Sequence, residues 1–397
     1  MLALVVGYVG YQYVSLTHGI VTSDALLPSG GASDALTGTA TSGPKTNTNI
    51  LVMGLDSRVD ENGNPLPQDI YDALHAGDAS DGGLNSNVLM LLHVPGDGSR
   101  ATEISIPRDD YVSLTGCPDS QCKGKIKQAY GLAYAAASRE LAGDASLSTV
   151  RREQKSRDAG RLAQVQTVEA FLGGVHIDHF VEVTMVAFYQ LAQVVQPITV
   201  CVNEPTKDSY SGANFVAGQQ QIDASQAVAF VRQRRDLYDR YNFTDLDRER
   251  RQQAFIVSLA TQLKQAGTLA NPVKLGQIID VTKQNTAIDS GLNLLDFASD
   301  AQQMAGGNVT FYTLPIASFG TDSSGEDINV VDLAQIHAVV AHLLGGPGST
   351  SSATATASRP TTTTHTPTSV PPVVPGTGAP APTDLTAITG GGIPCVK

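Results

Sequence analysis

Positive charge is scarce in this sequence. Lys and Arg number 26 against 38 Asp and Glu, a formal net charge of -12, and that balance argues against a general nucleic-acid binder, whose broad basic surface must neutralise many phosphates. Charge of either sign is thin, at 16% of residues beside 41% hydrophobic ones, a globular composition able to bury a sizeable core. Hydrophobic runs of membrane-spanning length are missing as well. The nearest approach, MLALVVGYVGYQYVSL at the start, carries no charge, is too short for a comfortable span and has no basic flank before it. A buried strand or helix is the alternative, but a polar Ser/Thr/Gly stretch (22–48) follows in place of a packed domain. Residues 1–22 therefore read as a retained membrane anchor whose upstream part lies outside this chain, and 23–47 as a polar linker.

Cysteine is limited to four positions, which fits an oxidising compartment. Cys117 and Cys122 bracket a short loop and could close a small ring, whereas Cys201 and Cys395 would have to pair across the chain; four cysteines leave three connectivities open. Neither a close second Cys pair nor His spacing completes a zinc set. No Walker loop, GxGxxG fingerprint or GxSxG elbow occurs, Ser57 and Ser105 have no His-Asp partnership, and no internal repeat is present.

What is there begins with organisation. Residues 348–384 are rich in Ser, Thr, Pro and Ala with almost nothing large to bury, the composition of a disordered spacer. Such a spacer reaches far enough to hold a short tail, 385–397, away from the body. The folded part is then 48–347. Branched apolar runs predict strands at 49–55, 87–94, 101–106 and 197–202, the second and third joined by the turn PGDGSR. Helical spacing marks 127–142, 161–173, 184–195 and 245–265. This mixture predicts a single α/β domain with a mixed sheet and helices on both faces.

Hairpin geometry places the start of 87–94 and the end of 101–106 at one sheet edge, so Asn85, Asn87, Arg108 and Asp109 converge. If 49–55 runs parallel to 101–106, Asp56 and Arg58 join them where open α/β sheets place ligands. Two unrelated surface ion pairs are the plain alternative. The stretch FVRQRRDLYDRYNFTDLDRERRQQ holds seven arginines in 24 positions. Asp223 can cap a helix before it, Arg232 and Arg234 share a face if VRQR is extended, and Thr244 with Asp247 forms a variant capping box. Asp245, Arg248 and Gln252 then stack on one helix face with Arg251 beside them. A solvated charged face is the ordinary reading, because nearby aspartates and Glu249 nearly balance the arginines. Forked guanidinium donors suit phosphate oxygens, which makes a diphosphate site the sharper one.

The ordered segments NILVMGLDSR, LNSNVLMLLHVPGDG, ISIPRDDYV, GKIKQAYGLA, GVHIDHFVEV, GQQQIDASQAVAFVRQR and DLDRERRQQAF resemble the LytR-CpsA-Psr proteins, membrane-anchored enzymes of the Gram-positive envelope, in their actinobacterial form. The resemblance implies a magnesium-assisted phosphotransferase that moves a polyprenyl-diphosphate-linked glycopolymer onto peptidoglycan, single-pass in the cell membrane with an extracytoplasmic catalytic domain; hydrolysis of diphosphates is a related possibility. By position it implies Asp56 as metal ligand and Arg58, Arg108, Arg232, Arg234, Arg248 and Gln252 as the diphosphate set. Asp109 and Asp245 would position arginines or accept a proton, and Lys125 is a further matched cation. Asn87 replaces the family's second metal-ligand carboxylate, which weakens the attraction for magnesium; Asp78 or Asp81 could compensate. A non-catalytic protein that holds an anionic glycolipid in the same cleft is the rival reading.

Overall fold

A computed structural model of the chain describes residues 14–17, 19–27, 46–74, 83–237, 243–265, 271–345 and 386–397. Alternation along the strands decides its architecture. In Thr48–Leu55 (β2) the side chains of Leu51, Met53 and Leu55 enter one core and Ile50 the other. Ser86–Val94 (β3) repeats the pattern, with Leu89 and Leu91 opposed to Leu92. A strand apolar on both sides must be covered twice. Helices Gln128–Leu141 (α1), Thr149–Phe171 (α2) and Leu333–Leu344 (α6) cover the first face; Met185–Val195 (α3), Ala224–Arg232 (α4) and Asp245–Gln265 (α5) cover the second.

The eight-stranded sheet is mixed. Its further members are Val21–Ser23 (β1), Ala101–Ser105 (β4), His179–Thr184 (β5), Thr286–Asp289 (β8), Val309–Thr313 (β9) and Ile388–Thr389 (β10), in the order β1-β8-β5-β2-β3-β4-β9-β10. β3 is antiparallel to both β2 and β4, so β2 and β4 run the same way and their carboxyl ends share an edge with the start of β3, as the hairpin reading requires. A bulge between Gly54 and Leu55 interrupts the β2–β3 register, a device that bends a strand end and re-aims the residue after it. A smaller sheet pairs Ile198–Val202 (β6) with Gly218–Ile222 (β7) and with Cys395–Val396 (β11).

The terminal boundaries differ from those read in the sequence. Most of the expected anchor lies outside the described residues, but Ile20 is buried and β1 pairs with β8, so the boundary at residue 22 falls inside the sheet. The described residues contain no helix long and apolar enough to cross a membrane. At the other end, 386–397 is not held away from the body. β10 extends the main sheet, β11 joins β6, and a Cys201–Cys395 disulfide fastens the contact; a second joins Cys117 to Cys122.

Helix α2 starts at 149, not 161, capped by Ser148. Its inward face defeats a search for apolar periodicity because it carries Arg157 and Arg161. Both side chains are fully buried, with Arg161 Nε 2.9 Å from Glu182 and Arg157 Nη1 3.2 Å from Glu61.

Candidate functional site

At the carboxyl ends of β2 and β4 the second helical layer stands off the sheet and leaves a cleft of about 500 Å³. Its inner walls are apolar: Val52, Val88, Met90 and Val183 from the strands, Met185 and Phe188 from α3, Val228 and Val231 from α4, Ile256 from α5. The groove therefore lies among α3, α4 and α5, whereas α2 packs on the opposite face. Gly54 lines it too, and a Cβ there would stand 2.7 Å from the Cβ of Val88, so only glycine leaves this wall unobstructed.

The mouth is charged. Five arginines, Arg108, Arg232, Arg234, Arg235 and Arg248, line the cleft beside two aspartates, Asp56 and Asp208, an excess that attracts anions. Arg232 ends α4 and Arg234 follows the non-helical Gln233, whose own side chain is buried away from the cleft; alternation thus sends both arginines to the mouth. Arg232 donates to the carbonyl of Leu74, and burial, partly offset by Asp56, pushes its guanidinium below the usual value. Thr244 and Asp247 form the expected cap, with Thr244 N donating to Asp247 at 2.7 Å.

Asp245 organises the arginines. Arg108 meets it through Nε and Nη2, each at 3.2 Å, Arg248 Nη2 donates to it at 2.9 Å, and Arg234 stands 3.9 Å away. Burial raises the Asp245 carboxyl, yet Arg248, Arg108 and Lys127 outweigh it and hold the group below its normal range. Burial and the like charge of Arg108 push Arg248 down to about 10, which keeps it charged at neutral pH. Its Nε is buried with no partner among the described residues, a donor awaiting an acceptor.

The other expected residues separate. Arg58 pairs with Asp56 at the mouth, and Gln252 lines the cleft while donating to Val231 O at 3.4 Å. Asp109 lies behind the lining, 3.6 Å from Arg108 and paired with Lys127. Lys125 does not reach the cleft: it ends a short ladder with Tyr111–Ser113 and pairs with Glu326 at 2.8 Å. Lys127, two residues on in the same GKIKQ run, is the cation that touches the site. Arg251 is also misplaced by the sequence reading. It is fully buried, donates to Gln233 at 2.7 Å and Thr206 at 3.2 Å, and lies among the rings of Phe215, Phe230 and Phe243. Arg235, 3.9 Å over the ring of Tyr210, was missed; its only signal was adjacency to Arg234.

The magnesium expectation meets a poor donor set. Asp56 is one carboxylate, with one oxygen paired to Arg58 and the other accepting from the Asn87 amide nitrogen at 2.9 Å. Among the described residues no cluster of three or more His, Cys, Asp or Glu could hold a metal, and Asp78 and Asp81 lie outside them. These groups do not fit an ion that wants about six oxygens around it.

The profile of the LytR_cpsA_psr family matches residues 17–343. The chain belongs to this family. Cell wall biosynthesis protein LcpA of Corynebacterium glutamicum is 37% identical over 87% of this chain, which spans 64% of the length of LcpA. A polyisoprenyl-teichoic acid–peptidoglycan teichoic acid transferase, TagU of Oceanobacillus iheyensis, is 26% identical over 76% of each chain. Among solved structures, a Streptococcus agalactiae protein superposes with a TM-score of 0.53 at 17% identity, covering 76% of this chain and 88% of its own; that likeness concerns the fold.

Proposed function

We propose that this LytR_cpsA_psr protein transfers a glycopolymer from a polyprenyl-diphosphate carrier to a hydroxyl of peptidoglycan. The observation that carries this reading is the joining of an apolar cleft to a mouth of five arginines, which suits a ligand with a hydrocarbon tail and a diphosphate head. The name of TagU supports the same class of substrate, and that of LcpA supports a part in cell wall biosynthesis.

In the proposed reaction the acceptor oxygen bonds to the phosphorus nearest the glycan, and the bond from that phosphorus to the bridging oxygen breaks, leaving polyprenyl phosphate. Such transfer needs little covalent chemistry from the protein and much fixed positive charge. Arg108 and Arg248, locked by Asp245, and Arg232 and Arg234 at the end of α4 hold the diphosphate oxygens. Asp56, a carboxylate lining the cleft, takes the proton of the acceptor hydroxyl. The walls from α3 and α4 receive the first prenyl units and exclude water. On this reading the chain works at the outer face of the cell membrane, where two disulfides are at home.

The test is incubation of the chain with a polyprenyl-diphosphate-linked glycan and a peptidoglycan fragment. Wild type releases polyprenyl phosphate together with wall-linked glycan, and Arg232→Ala or Arg248→Ala lowers the rate by about 100-fold while the fold survives. Full activity in either variant contradicts the site. A non-catalytic holder of the same lipid, a reading that Asn87 favours, would take up donor and yield no product; a hydrolase would yield free glycan.

A further inference from the structure

Asn87 stands between a carboxylate and a guanidinium. Its amide nitrogen donates to Asp56 Oδ2 at 2.9 Å, and its amide oxygen accepts from Arg108 Nη1 at 2.7 Å. These neighbours dictate which end of the amide points where. An ionised carboxylate only accepts and a guanidinium only donates, so the amide turned over would set oxygen against oxygen and N–H against N–H. The space beside Asp56 therefore meets an N–H group, which repels a cation, and the one oxygen that Asn87 could offer a metal faces Arg108. The second oxygen of Asp56 is paired with Arg58. Each oxygen of this carboxylate already accepts from a protein donor.

The charge needed by a diphosphate is nevertheless present. Arg108 is held by Asn87 on one side and Asp245 on the other, while Arg232 feels the field of both Asp56 and Arg58. We infer that in this chain Asn87 and Arg58 stand in for a resident divalent cation: the amide fixes the spacing of Asp56 and Arg108, and arginines alone neutralise the diphosphate. This rests on the proposed transferase reading for the identity of the anion, but the cation question has its own readout. An aspartate at 87 would place a second carboxylate against Asp56, an arrangement that either shares a proton or recruits a cation.

Manganese(II) binding to the full chain, followed by electron paramagnetic resonance, and farnesyl diphosphate binding by calorimetry with and without EDTA test the inference. Wild type is expected to show no saturable manganese site dependent on Asp56 and to change its farnesyl diphosphate affinity by less than about twofold in EDTA. Asn87→Asp is expected to gain a manganese site and to lose about tenfold in farnesyl diphosphate affinity in EDTA, regained on adding magnesium. One manganese ion bound by wild type and lost in Asp56→Ala overturns the inference, as does an EDTA effect of about tenfold on wild type. The wild-type EDTA arm needs no variant to fold. If wild type takes up no farnesyl diphosphate at all, the transferase reading fails, and the manganese arm still decides the role of Asn87.

Discussion

Arg108 and Asp245, 137 residues apart in the chain, meet through two parallel contacts of 3.2 Å. That pair joins the end of β4 to the first turn of α5 and sets the direction of the guanidinium at the cleft mouth. Asp245 carries no free donor for a substrate anion, so its role is positioning. Asp245→Asn removes a negative charge from an anion site and also turns an N–H toward Arg108. The expected result is a split: turnover falls at least about tenfold, as for a misplaced electrostatic donor, while the KM for donor changes little. A lower KM with unchanged turnover would mean that Asp245 merely competes with the diphosphate.

Arg251 and Arg248 are three residues apart on one helix and have different work. Arg251 satisfies Gln233 Oε1 and Thr206 Oγ1, and its Nε donates to the backbone oxygen of Lys397 at 2.7 Å. Burial pushes its guanidinium down to about 9. Arg251→Met strands these acceptors and is expected to cost roughly 3 kcal/mol in unfolding free energy, with farnesyl diphosphate affinity per folded molecule unchanged. Denaturant titration and calorimetry on the same samples check both halves.

The Cys201–Cys395 disulfide spans 194 residues and ties β11 to β6, next to α5. Closing so long a loop restricts the unfolded chain, so Cys201→Ser is expected to lower stability by roughly 2–5 kcal/mol and to open 386–397 to proteolysis. Cys117 and Cys122 enclose only a short loop, and Cys117→Ser is expected to cost less. Equal losses would show that the long crosslink does not hold the terminal strands.

Glu103 supplies a pH dependence. It lies inside β4, accepts from Ser105 Oγ at 2.9 Å, and burial raises its carboxyl from 4.5 to about 8. A carboxyl raised on folding binds its proton more tightly in the native state. Its contribution is complete below the unfolded value and is lost as pH climbs toward the folded one, at about 1.4 kcal/mol per pH unit within that window. Wild type is expected to melt at progressively lower temperature from pH 5 to pH 8, and Glu103→Gln to flatten that decline. An identical slope in the variant would assign the effect to other groups.

Much of this was legible in the sequence, for physical reasons that also mark where legibility stops. The β3–β4 hairpin announced itself by its turn, and α5 by apolar spacing after a Thr-Asp cap. Convergence of Asp56, Asn87 and Arg108 followed from strand direction alone. Helix α2 was cut short because its inner face is made of arginines paired to Glu61 and Glu182, a partnership with no local signature. Arg251 was grouped with Arg248 because helical phase places them on adjacent faces; only the phenylalanines that receive it, two of them from other segments, tell core from cleft. Lys127 and Lys125 sit two residues apart, and the ladder ending between them decides which one turns inward. The terminal strands were hidden by the Thr/Pro stretch before them, whose composition carries no information on the pairing of the residues after it.

The central claim is that one ligand occupies both the charged mouth and the apolar cleft. A crystal structure with geranylgeranyl diphosphate tests it most directly. The account predicts the diphosphate among Arg108, Arg232 and Arg248, with the prenyl chain against Val52, Met90 and Phe188. A diphosphate bound elsewhere, or a prenyl chain lying outside the cleft, would contradict it.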